Sequence, residues 1–172
     1  LYKRGRRPLL EAALLGYIRQ RRWFGGKARY VRSAEIQDFV AIPYGTSVAH
    51  LVLIRLEYSE GESETYLVPI TFALEERANQ IINESLQAVV ARLKLKSKDG
   101  DREGVIYDAL VEKNFCNTLL RAMARRRHFK GEKGESVASH TRTVFRKIRG
   151  PAEEVLEPAI LKGEQTNTSV VY

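Results

Sequence analysis

The run from Val48 to Tyr58 constrains the fold more than any other stretch, because its Val, Leu and Ile residues make it the strongest strand signal in the chain. Glu60-Gly61-Glu62 supplies a turn, and Thr65–Ile70 reads as the returning strand of a hairpin. Upstream, Ala34 to Ile42 alternates, which puts Ala34, Ile36, Val40 and Ile42 on one face together with Asp38. Pro43-Tyr44-Gly45-Thr46 is turn chemistry. A sheet of this kind needs a covering layer, and the segment before it provides one. Pro8 is placed where a helix tolerates the missing N–H, and Leu9, Leu10, Ala13, Leu14, Tyr17 and Ile18 recur at helical spacing through about Gln20. Arg19, Arg21 and Arg22 crowd the last turn, where the helix dipole favours cations, and Gly25-Gly26 ends the segment. One amphipathic helix against antiparallel hairpins makes an α+β unit.

Residues 74–85 predict a short helix, which closes a first unit at residues 1–85. A second α+β unit is expected over 86–172. Leu86–Leu95 and Val105-Ile106-Tyr107 read as strands on either side of a charged turn. Leu110–Arg127 reads as a second amphipathic helix with Val111, Phe115, Leu119, Leu120 and Met123 buried. Ser136–Ile148 reads as a strand, Gly150-Pro151 breaks it, and Glu153-Glu154 look like first-turn helix acids. Pro158 to Gln165 then leads to a final hairpin ending at Tyr172.

Composition removes several function classes. Hydrophobic residues make up 44% of the 172, which excludes a disordered chain, and no apolar run approaches the ~18 residues of a membrane span. The basic, partly apolar start imitates a signal peptide, but Glu11 and then Arg19, Arg21 and Arg22 interrupt it. The lone Cys116 makes no internal disulfide and points to a reducing, cytoplasmic setting; with three scattered histidines it gives no zinc spacing. Cys116 itself is expected to be a small buried thiol, His50 a packed or edge histidine, and His128 and His140 surface groups. The +8 net charge is concentrated: residues 1–32 carry ten basic side chains against Glu11, and residues 121–149 carry ten against Glu132 and Glu135. Such segments are either a solvated face or a surface for phosphate-rich ligands, nucleic acid or an acidic partner.

Two places carry candidate chemistry. In Arg22-Trp23-Phe24-Gly25-Gly26-Lys27-Ala28-Arg29 the glycines follow a helix instead of preceding one, so this is no nucleotide loop; Trp23 and Phe24 are expected under the sheet, with Lys27 and Arg29 in water. Ile160 to Tyr172 reads strand, small polar turn, strand. A tip of Gly, Thr, Asn, Thr and Ser can turn backbone N–H groups and hydroxyls toward an anion, as kinases do over ATP phosphates.

At these places, and at Tyr66-Leu67-Val68-Pro69-Ile70, the sequence resembles the N-terminal region of bacterial maltokinases; the carriers are QRRWFGGKAR at Gln20–Arg29 and GEQTNTSVVY at Gly163–Tyr172. The resemblance implies a cystatin-like cap, one helix on a curved antiparallel sheet, then an intermediate subdomain leading into the nucleotide-binding lobe of a kinase-like fold. It implies transfer of the ATP γ-phosphoryl group to maltose with Mg²⁺, for glycogen or α-glucan synthesis. It places Gln165, Thr166, Asn167, Thr168 and Ser169 over the nucleotide phosphates. The family's catalytic lysine, acceptor-side aspartate and Mg²⁺ ligands lie after that loop, so no catalytic or metal residue is expected in this chain. The start at Leu1 and the strand-like close at Tyr172 fit an N-terminal region of something longer, with the rest of a kinase chain, and in fusions a trehalose synthase module, as partners. The competing reading is a basic α+β nucleic-acid-binding module, with Trp23, Phe24, Tyr30 and Phe129 available for stacking.

Overall fold

The computed structural model describes residues 4–96, 100–140, 144–151, 154–161 and 167–172. Helix α1 (Arg7–Arg19) opens with Pro8 in its first turn and buries Leu10, Leu14, Tyr17 and Ile18. Leu9, expected in that stripe, is 74% exposed, because it lies a step to the side of the buried face. Strands β1 (Val31–Tyr44), β2 (Ser47–Tyr58) and β3 (Glu64–Leu74) form an antiparallel meander. Gly45, at φ +54°, lets the first turn close in two residues between Tyr44 and Ser47.

Helix α2 (Glu75–Glu84) follows directly, then β4 (Val89–Leu95) and β5 (Arg102–Asp108). These last strands do not start a separate sheet. The order is β1-β2-β3-β5-β4, with Leu74 opposite Gly104 where β3 meets β5. A Cβ on Gly104 would sit 2.4 Å from the Ala73 carbonyl oxygen, so the close approach of these strands needs a residue without a side chain. The sheet thus runs straight through the position, 85/86, at which the sequence suggests two units.

Both faces of the sheet are covered. Leu14 and Ile18 of α1 pack with Ile36, Val52, Ile54 and Ile70 on one face. On the other, Ala78 and Ile81 of α2 meet Val105 and Tyr107. Helix α3 (Lys113–Ala124) puts Phe115 against Val40, Ile42 and Leu51. The expected single face of β1 is therefore wrong. A β-bulge between Ile36 and Asp38 flips the alternation, so Ala34, Ile36 and Phe39 join the α1 side while Val40 and Ile42 join the α3 side.

Helix α3 stops at Ala124, three residues before the expected end. Arg127 N–H bonds to the Ala122 carbonyl and Arg126 N–H to that of Met123, while Arg126 takes φ +50°. This is a Schellman stop with arginine where glycine is usual. Beyond it come short pieces: β6 (His128–Lys130) paired with β7 (Glu135–Val137), α4 (Phe145–Arg149), and β8 (Ala159–Ile160) paired with β9 (Val170–Val171). Of the strand expected over 136–148, residues 145–148 form a helical turn, 141–143 lie outside the described residues, and Ser136 and Val137 lie in β7. Its partner β6 begins at His128, directly after the helix stop, so pairing ends at His128–Val137. Glu153 lies outside the described residues, and Glu154 stands in irregular chain rather than a helix.

Candidate functional site

The segment after α1 is held by a polar clasp. Trp23 and Phe24 fold against Tyr66, with ring centroids 5.7 Å apart in both pairs, and Phe24 is buried. Arg29 donates to Glu64 Oε1 at 2.8 Å and to the Glu62 carbonyl at 2.6 Å, and its guanidinium lies 3.5 Å from the Tyr58 ring centroid. Tyr58 and Tyr66 hydroxyls both donate to Glu64 Oε2. These two hydroxyls, and then Arg29, hold the Glu64 carboxyl below its ordinary range. Arg29 is thus part of a buried-edge network instead of a wet side chain, whereas Lys27 is exposed as expected. Gly26 belongs to the same packing: a Cβ there would lie 2.4 Å from the Tyr58 hydroxyl.

A second clasp centres on Asp38. Its carboxylate accepts from the backbone N–H groups of Phe39, Glu132, Lys133 and Gly134, at 2.7 to 3.2 Å. Burial alone would raise this carboxyl, but the four N–H donors outweigh it and hold the group below its ordinary value. The turn between β6 and β7 is thereby fixed to β1, and an Arg7–Glu132 ion pair adds the start of α1.

At the C-terminal end of α1, lined by Tyr17 and Gln20 to Trp23, lies an open cavity of about 610 Å³. Its inner wall is Tyr17, Trp23, Ala88, Asp108 and Val111, with Arg21 above. Asp108 Oδ2 accepts from the Tyr17 hydroxyl at 2.7 Å, and Oδ1 accepts from Leu110 N–H at 2.9 Å. Burial pushes the Asp108 carboxyl up, against the pull of these donors and of Arg21; burial, followed by the Asp108 charge, also pushes the Tyr17 phenol up. The Arg21 guanidinium stacks 4.2 Å from the Tyr17 ring centroid.

Asn167 and Thr168 are exposed at the mouth of this cavity. Ser169 is half-buried, and its carbonyl receives Leu161 N–H at 2.9 Å, extending the β8–β9 pair. Gln165 and Thr166, the other expected loop residues, lie outside the described residues. The structure therefore brings two of the five loop residues to the end of α1. Sequence reading missed Tyr17, Arg21 and Asp108 as one group, since Asp108 closes an apolar strand 91 residues from Tyr17 and nothing local connects them.

The remaining expectations sort by packing. Cys116 is 1% exposed and donates to the Leu110 carbonyl, and burial pushes its thiol up to about 11. His50 packs edge-on against Phe39, and burial lowers its pKa. His128 is exposed beside Glu135, but His140 is stacked 4.6 Å from Phe145 instead of being a free surface group. Of the four aromatics considered for base stacking, Phe24 is buried, Trp23 and Phe129 pack against the core clusters, and Tyr30 alone is exposed, at 73%. Among the described residues no group of His, Cys, Asp or Glu side chains converges as a metal ion would require, and no helix is long and apolar enough to cross a membrane.

Residues 17–111 match the family model of the maltokinase N-terminal cap domain. The match starts inside α1, takes in the Trp23–Arg29 clasp and the whole five-stranded sheet, and stops just before α3; α3 and the Asn167–Ser169 segment lie outside it. It covers more than half of the 172 residues, and the chain belongs to the maltokinase N-terminal cap domain family.

Proposed function

We propose that this chain is the N-terminal region of a maltokinase-like phosphotransferase that moves the γ-phosphoryl group of ATP onto maltose, giving maltose 1-phosphate. One juxtaposition supports the reading: Gln20, Arg21, Arg22 and Trp23 share a cavity with Asn167 and Thr168. The two segments that resemble maltokinases, far apart in sequence, meet there.

The residues present suit phosphate oxygens. The exposed Asn167 amide and Thr168 hydroxyl are donors, Ser169 follows, and the nearby Arg21 and Arg22 make the local potential positive. When bound, ATP supplies the phosphoryl group and Mg²⁺ neutralises the charge that develops on it. This chain's part is to hold phosphate oxygens with the Gln165–Ser169 loop and to set that loop's posture through α1. In this reading the 172-residue chain is non-catalytic by itself. Its partners are the remainder of the kinase chain and, in fusions, a trehalose synthase module, all in the cytoplasm, where a buried free thiol such as Cys116 stays reduced.

The test is a maltose-dependent ATP-consumption assay on the natural gene product that contains this chain. Replacing Thr168 and Ser169 together by alanine is expected to lower turnover ~10- to 100-fold, about 1.4–2.7 kcal/mol for the two lost hydrogen bonds together. Unchanged turnover would put the phosphate loop elsewhere, and a product that consumes ATP without regard to maltose would sink the substrate assignment. Calorimetry on the 172-residue chain alone should show weak ATP binding or none.

A further inference from the structure

We infer that the cavity beneath α1 is a binding site for a small polyhydroxylated ligand, a pyranose or short saccharide, separate from any phosphoryl acceptor site. The inner wall has the chemistry that vicinal hydroxyls need. Each oxygen of Asp108 accepts one hydrogen bond from the protein, from Tyr17 or Leu110, which leaves each a free lone pair. The Arg21 side chain is anchored by its Nε at 3.3 Å from the Tyr17 carbonyl and by stacking on the Tyr17 ring. Its guanidinium lines the cavity together with Asp108. A planar acceptor and a planar donor are thus held side by side, both pre-positioned, and adjacent hydroxyls can donate to one and accept from the other.

The rest of the wall agrees. Trp23 packs on Tyr66 yet stays half-exposed, and its indole N–H has no partner among the described residues. An indole beside paired polar groups suits a ligand with one apolar C–H face and a rim of hydroxyls. Gln20 and Gln87 add exposed amides, and about 610 Å³ is the size of a small-ligand cavity. An inorganic anion fits the inner wall poorly, because the Asp108 carboxylate stands there. The inference goes beyond the phosphotransferase reading and does not depend on it: a saccharide can bind here whether or not Asn167 and Thr168 cover a nucleotide.

Trp23 is the only tryptophan in the chain, so intrinsic fluorescence reports on this cavity directly. The experiment titrates the 172-residue chain with D-glucose and with maltose, and repeats each titration in the presence of inorganic phosphate. A saturable emission change with either sugar, half-complete near ~1 mM and indifferent to phosphate, is expected. Asp108→Asn should weaken it ~10-fold or more, as loss of a charged acceptor does. Should Asp108→Asn fail to fold, Arg21→Gln, a change at a half-exposed side chain, carries the test with an expected loss of ~3- to 10-fold. No saturable change up to ~30 mM, a signal that phosphate competes away, or full affinity in a folded Asp108→Asn or Arg21→Gln chain would each overturn the inference. Phosphoryl transfer is tested separately, by the maltose-dependent ATP assay.

Discussion

Sequence on both sides of Arg127 reads in part as strand, but the described residues on the two sides fold very differently. Before it, five strands of seven to fourteen residues make one sheet, with Ile54, Ile70 and Val105 all 0% exposed. After it, the described strands are two or three residues long, and Ile148 and Val155 are 79% and 78% exposed. The difference lies less in propensity than in what is available to pair with and pack under. A strand extends when a free edge lies beside it and a helix covers its face. In the first region β2 has both neighbours and α1 above. In the second, among the described residues, β7 pairs only with the three residues of β6.

Leu14→Ala tests the packed side of this contrast. A fully buried leucine on α1 should cost ~2–5 kcal/mol in a denaturant titration, and a loss under ~0.5 kcal/mol would place Leu14 outside the core. Asp38→Ala tests the point where the two regions join. It strands the N–H groups of Glu132, Lys133 and Gly134, at an expected cost of ~1–3 kcal/mol. Amide exchange should accelerate at those three residues while the β2–β3 ladder stays protected; uniform exchange would show that the β6–β7 turn does not depend on this carboxylate.

Acid should act on the same joint. The folded-state pKa of Asp38 is depressed, so its contribution is present above the ordinary value of 3.8 and is lost as pH falls through the lower folded value. Asp108 has the opposite sign. Its folded pKa is raised, so its contribution is fully present below 3.8 and is lost as pH rises through the folded value. Denaturation series carried from mildly acidic buffers to below pH 3.8 should therefore lose slope below 3.8 for Asp38→Asn and above it, with opposite sign, for Asp108→Asn; slopes of equal sign would show that one of the two environments is misassigned.

Smaller changes sharpen the comparison at its edge. Arg126→Gly relieves a left-handed residue at the end of α3 and should stabilise by about 0.4–1 kcal/mol, read as a rise in thermal midpoint. Ile148→Ala, at a 79% exposed position, should move stability by less than ~0.5 kcal/mol. A larger loss would mean that α4 is buried against something.

Local chemistry made much of the first region legible. Pro8 and the spacing of Leu10, Leu14, Tyr17 and Ile18 mark α1, and Gly45 and Gly61 mark the turns between strands. The bulge at Gln37 was invisible, because Ala34, Ile36, Val40 and Ile42 keep period two through it while the structure puts them on opposite faces. The two clasps were hidden for a related reason: Asp38 takes its donors from 94 to 96 residues away, and Glu64 draws Arg29 across a whole hairpin. Beyond Ser136, Phe145 and Ile148 suit a helical turn as well as a strand, so only the missing partner edge decides between them. Of the phosphate-loop expectation, the position of Asn167 and Thr168 beside α1 was not legible at all, since it depends on where the β8–β9 pair lands.

The narrow fit at Gly104 bears on how the sheet assembles. The pairs β1–β2, β2–β3 and β4–β5 join strands that follow one another in sequence, whereas β3–β5 spans the intervening α2 and β4. On sequence separation, β3–β5 pairing is expected to form late and to open first, with the β1–β3 meander and the β4–β5 pair as the separable pieces; amide exchange across Leu74–Gly104 checks this. Any residue larger than glycine at 104 would meet the Ala73 carbonyl at this seam and hold β3 and β5 apart.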